Sequence, residues 1–142
     1  MRALLDVNML LALFDPAHTH FARAMQWWQS NSTAGWASCP LTQNGFARII
    51  SKPGYTRPAQ LADALAILHE QIGRPGHEFW PDDISIADPS LFDRSRILGP
   101  NQLTDVYLLA LALKNGGRLV TFDAGVPVAA VKGATKAHVV SL

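Results

Sequence analysis

Three aspartates sit where a chain seldom needs a charge. Asp6 ends the apolar run "ALLDV", Asp123 ends "RLVTFD", and Asp105 stands at the head of the nearly all-apolar stretch "LTDVYLLALALK". Two acids just past buried strands meet at the carboxyl edge of a parallel sheet, where open α/β folds bind ligands. An acid in the first turn of a helix can face the same crevice, and the backbone dipole favours it there. Each residue alone has a plain alternative: Asp6 a helix cap, Asp105 a helix-start acid, Asp123 a turn residue before Ala124-Gly125. The set says more than its members. Unit charges ~4 Å apart repel by about 4 kcal/mol at an effective dielectric near 20, so gathered carboxylates call for a cation or a proton. The matching ion is a hard, oxygen-seeking one, Mg²⁺ or Mn²⁺, and such an ion can orient and polarise a phosphodiester and activate water.

Neighbouring polar residues suit supporting roles. Asn8 lies two residues beyond Asp6, Thr104 precedes Asp105, and Thr121 lies two before Asp123. They can steady the acids, as metal sites require, although local capping and strand propensity also account for them.

The elements that must position these residues alternate short apolar runs with helical stretches, which predicts a short parallel sheet covered by helices. Strands are expected at Ala3 to Val7, Gly35 to Ser38, His77 to Trp80, Arg118 to Phe122 and His138 to Ser141. Helices are expected from Asn8 to Phe14, through Phe21, Met25 and Trp28, and from Thr42 to Ile50 with Phe46, Ile49 and Ile50 inward. Another opens at Pro58 with Leu61, Leu65, Leu68 and Ile72 on its apolar face and Gly73 as its cap; "SLFDRSRIL" is a short helix; the last runs from Thr104 to Lys114. The last helix has almost no polar side, so it belongs inside the core.

Bulk properties set limits. A chain of 142 residues, 49% apolar and 16% charged, fits one compact domain over 1–142. A net charge of +1 is too small to argue for nucleic acid by bulk attraction. The single cysteine, Cys39, excludes an internal disulfide and fits a reducing compartment. Asp6 and Asn8 interrupt the N-terminal apolar run, and no stretch of ~18 apolar residues exists, so the reading is a cytoplasmic protein without membrane span.

With these residues in place, the sequence resembles the PIN-domain ribonucleases, and more closely the VapC-type toxins of bacterial toxin–antitoxin pairs. The matching pieces are "LLDVN", "CPLTQNGFARIIS", "HEFWPDDIS" and "LTDVYLLALALKNGGRLVTFD". The resemblance implies a three-layer α/β/α sandwich with a short central parallel sheet, metal-dependent cleavage of RNA, a homodimer, and a small VapB-type antitoxin covering the cleft. It assigns Asp6, Asp105 and Asp123 to the metal and Asn8, Thr104 and Thr121 to its support. The family often carries an acid in the middle motif where this chain has Gln43, which offers a carbonyl and an amide but no charge. Gln43 can hold a metal-bound water and cannot act as an anionic ligand.

The activity expected is endonucleolytic cleavage of single-stranded or looped RNA, whose unpaired bases are accessible. Arg48, Lys52 and Arg57 are candidate phosphate contacts, with a solvated surface as their alternative. A second reading is a weakened or inactive RNA- or protein-binding module, with Gln43 in place of the acid. A phosphate-handling receiver or phosphatase ranks lower, because no second acid adjoins Asp6. His18 and His20 lack the partner ligands of a zinc site. Asp82, Asp83 and Asp88 read as loop acids.

Overall fold

The computed structural model describes residues 1–142. Five short strands, β1 (Ala3–Leu5), β2 (Trp36–Ser38), β3 (His77–Phe79), β4 (Arg118–Thr121) and β5 (Val139–Ser141), form one sheet. All pairings are parallel and the order is β3-β2-β1-β4-β5. Five helices accompany it: α1 (Val7–Phe14), α2 (Phe21–Asn31), α3 (Pro40–Ile50), α4 (Leu61–Ile72) and α5 (Leu103–Lys114). The chain builds outward from β1 to β2 and β3, then crosses to the other side of β1 for β4 and β5. Strand order therefore reverses between β1 and β4, and a crevice opens past their carboxyl ends.

Side-chain alternation along the strands divides the core in two. Leu4 and Leu119 pack with α5, Trp80 and Phe92 on one face. Ala3, Leu5 and Val120 pack with α1, Phe46 and Ile50 of α3 and Leu68 of α4 on the other. The result is the expected three-layer α/β/α sandwich. Helix α5 buries Val106 and the run Leu108 to Ala112, which explains its all-apolar sequence.

Several expected boundaries move for identifiable reasons. Helix α1 starts at Val7 because Asp6 caps it. Helix α3 starts at Pro40, in the first-turn position that tolerates a missing N–H, and the Thr42 hydroxyl accepts the Cys39 N–H at 3.0 Å. Helix α4 starts three residues after Pro58 and buries Ala64 and Leu68, while Leu61 and Leu65 are 55% and 50% exposed. It packs chiefly on α3 and β3 at the margin of the sheet, so a narrower stripe suffices. "SLFDRSRIL" is not a helix beyond one 3₁₀ turn, Arg94–Arg96. Asp88 and Asp93 each accept from the serine two residues on, which competes with helical bonding, and Phe92 bridges to Val131 in extended form. No helix is long and apolar enough to cross a membrane.

Candidate metal centre

The crevice at the strand reversal holds the three acids. Asp6, Asp105 and Asp123 each offer a carboxylate oxygen, and these oxygens lie within 4.8 Å of one another. They line a cleft of about 650 Å³ together with Asn8, Thr104 and residues of α3.

Asp6 is buried and fixed at both oxygens. Its Oδ1 accepts the Val7 N–H at 2.6 Å, and its Oδ2 accepts the Thr121 hydroxyl at 2.7 Å. It is therefore both the cap of α1 and one of the clustered acids. Burial raises its pKa most, with Asp123 adding to the rise, while the bonds from Thr121 and Val7 oppose it. Thr121, the last residue of β4, also accepts the Asp123 N–H at 3.0 Å, so one hydroxyl ties two acids together. Asn8 completes the frame: its amide donates to Thr121 Oγ1 at 3.3 Å and its carbonyl accepts the Phe122 N–H at 3.2 Å.

Asp105 stands apart in its chemistry. It occupies the first turn of α5, half-buried, and its carboxylate accepts no hydrogen bond from the protein. Burial, then the charges of Asp6 and Asp123, push its pKa up to about 6. The Asp123 carboxylate also lacks a protein donor but is exposed; half-buried and pressed against two other acids, Asp105 is the one a cation would relieve most. The donor set is oxygen only, which fits a hard divalent ion. Thr104 lines the cleft but caps nothing, since α5 has Gln102 at its N-cap without a side-chain bond.

Gln43 is not among the cleft-lining residues. Its amide donates to Ser38 Oγ at 2.9 Å, and that oxygen lies 2.8 Å from His77 Nε2. The residues of α3 that line the cleft are Pro40, Leu41, Asn44, Gly45, Arg48 and Ile49. The helical turn that brings positions 41, 45 and 48 to the cleft carries position 43 away from it. Of the three basic candidates, Arg48 lines the cleft, Lys52 lies beyond the end of α3, and Arg57 lines a separate recess with Asp15, His18 and Tyr55.

Asp82 is a cleft residue that the sequence does not mark. Its Oδ2 accepts the Leu41 N–H at the start of α3 and its Oδ1 accepts the Tyr107 hydroxyl of α5, each at 3.0 Å. It joins the two helices that wall the cleft, a relation that needs residues 41, 82 and 107 in space and leaves no local pattern. Asn44 and Asn101 also line the cleft, with no cue in the sequence beyond their polarity.

A parallel sheet with carboxylates gathered at its reversal point is the arrangement of a PIN domain, and the chain belongs to that family: the PIN domain model matches residues 3–132. The chain is also similar to bacterial proteins of one group within the family. It is 50% identical to "Ribonuclease VapC44" of Mycobacterium tuberculosis (strain ATCC 25618 / H37Rv) over 142 residues, covering 100% of both chains. It is 47% identical to "Ribonuclease VapC38" of the same strain over 125 residues, 87% of this chain and 86% of that one. Among solved structures it resembles a chain in VapBC2 from Rickettsia felis, crystallised bound to a DNA fragment from their promoter. That match has a TM-score of 0.56 and 14% identity over 87% of this chain and 89% of the other, and so bears on the fold alone.

Proposed function

We propose that this protein is a metal-dependent endoribonuclease that cleaves single-stranded or looped RNA, and that it is the toxin of a toxin–antitoxin pair. The observation that carries the reading is the convergence of Asp6, Asp105 and Asp123 on one point. Carboxylates this close repel by roughly 3–4 kcal/mol per pair at an effective dielectric near 20, and a cation removes that cost. The family membership and the ribonuclease names of relatives at 50% and 47% identity support RNA as substrate.

Asp6, Asp105 and Asp123 would hold Mg²⁺ or Mn²⁺. Bound there, the ion supplies Lewis acidity toward a phosphodiester oxygen and a water of lowered pKa. The rest is the work of the chain. Thr121 and Val7 keep the Asp6 oxygens aimed, and Asn8 holds the β4 end against α1. Asp105, which has lost most of its proton above about pH 6, would meet the ion as a carboxylate. Arg48, on the α3 wall, holds a phosphate of the strand. Thr104 lines the same cleft and can bond water beside Asp105. Gln43 supports the α3 entry through Ser38 rather than the ion.

This placement of Gln43 also favours the active reading over an inactive binding module, since a neutral residue away from the cleft subtracts no ligand. The protein acts in the cytoplasm as a homodimer of single-domain chains, and a VapB-type antitoxin covers the cleft. Incubation with RNA substrates in Mg²⁺, in Mn²⁺ and in EDTA tests the activity. Cleavage by the wild type in metal and none by Asp6→Ala is expected; equal cleavage by both would overturn the reading.

A further inference from the structure

Next along the chain from the acid cleft, beyond the residues that line it, lies an aromatic and cationic group that the cleft's chemistry leaves unused. Phe122 directly precedes Asp123, and its backbone N–H is held by Asn8 Oδ1 at 3.2 Å. Its ring stacks on the His20 imidazole with centroids 4.7 Å apart and planes at 17°. The Arg23 guanidinium lies 6.0 Å from the Phe122 centroid, within cation–π range. Arg23 is exposed and forms no salt bridge, and the His20 ring makes no hydrogen bond. An exposed arginine with no carboxylate partner, laid over an aromatic ring, is a surface that unpaired bases prefer.

Position adds to composition. β1 lies between β2 and β4 in the sheet. Arg48, on the helix after β2, and Phe122, at the end of β4, therefore flank Asp6 from opposite sides. A strand crossing the acids meets a lone cation on one side and a stacked ring set on the other.

We propose that Phe122, His20 and Arg23 form a subsite that stacks one unpaired nucleobase next to the phosphate held over Asp123. The proposal rests on the nuclease reading and gives its cleft a direction: phosphate contact at Arg48, base contact at Phe122. The subsite selects for unpaired RNA, because a base within a duplex offers no free face.

The test uses a fluorescein-labelled, eight-nucleotide single-stranded RNA and a series with one abasic nucleotide at successive positions. Binding is read by fluorescence anisotropy in Mn²⁺, in an Asp123→Asn background that holds cleavage off. One abasic position is expected to weaken binding by about tenfold. Arg23→Ala and His20→Ala are expected to weaken the intact RNA by a similar factor, and to leave the oligonucleotide lacking that base unchanged. Both positions are solvent-accessible, so these variants carry the test even if Phe122→Ala fails to fold; Phe122→Trp is expected to retain binding. Equal affinity for every abasic RNA would overturn the subsite, as would equal weakening of intact and abasic RNA by the variants, which is simple charge attraction. Metal-dependent cleavage by the unmutated chain, assayed in parallel, reports on the nuclease reading separately.

Discussion

Val7 packs directly onto Gly45: a β-carbon at position 45 would lie 2.6 Å from Val7 Cγ2. This contact lets α3 approach the first turn of α1, and so sets the distance between the α3 wall of the cleft and Asp6. Gly45→Ala must displace a β-branched side chain with little rotamer freedom. It is expected to destabilise the fold by about 1–2 kcal/mol, the clash outweighing a helix-propensity gain of about 1 kcal/mol. In a Val7→Ala background the same change should reverse sign and stabilise. Urea unfolding of the four proteins of this cycle checks both halves.

Thr121→Val removes the hydroxyl that donates to Asp6 and accepts from Asp123. A buried carboxylate left short of a donor costs about 1–3 kcal/mol, and Thr121→Ser should recover most of it. The valine variant should also hold the Asp6 proton to higher pH. Its Mn²⁺ affinity, read by calorimetry, should therefore decline at a higher pH than that of the wild type.

Asp105 binds its proton more tightly in the folded chain than in the unfolded one, with a pKa of about 6 against an ordinary 3.8. Without metal, this group's contribution is most favourable below the ordinary value. Stability falls as pH rises between the two values and stays reduced above them. Thermal melts in EDTA should therefore show Asp105→Asn raising Tm near neutral pH and changing little near pH 4. Mn²⁺ should raise the wild-type Tm near neutrality, less near pH 5, and should not raise that of Asp105→Asn.

Gln43→Glu provides a contrasting case. The amide donates to Ser38 Oγ, whereas a carboxylate can only accept. Ser38 would turn its proton toward the new carboxylate, and His77, 2.8 Å away, would become the donor to the serine oxygen. Burial, with the Arg2 charge, now holds the His77 pKa down. The variant should raise it, visible by NMR titration, while RNA cleavage stays close to wild type. A large gain in cleavage would mean that position 43 reaches the metal after all.

The sheet and the meeting of the three acids were legible because both follow from short-range pattern. Buried parallel strands read as unbroken apolar runs, and an acid that ends such a run lands on the carboxyl edge. The all-apolar α5 announced its burial in the same way. Where packing depends on lateral position, the reading failed. Leu61 and Leu65 fit a helical stripe, but the marginal place of α4 leaves them outside. On α3, the rotation of the helix decides between Gln43 and its neighbours Asn44 and Gly45, and tertiary contacts fix that rotation, the close approach of Val7 to Gly45 among them. Asp82 is a tertiary clamp, so nothing in "WPDDIS" distinguished it from Asp83, which pairs with Lys114 at 2.7 Å.

Cys39, the N-cap of α3, is fully buried, and burial pushes its thiol up to about 11. At neutral pH the sulfur is thus both shielded and protonated, and alkylating reagents meet it only when the entry to α3 opens. The chain carries its own reporter of that opening: labelling kinetics count how often the wall bearing Arg48 comes loose.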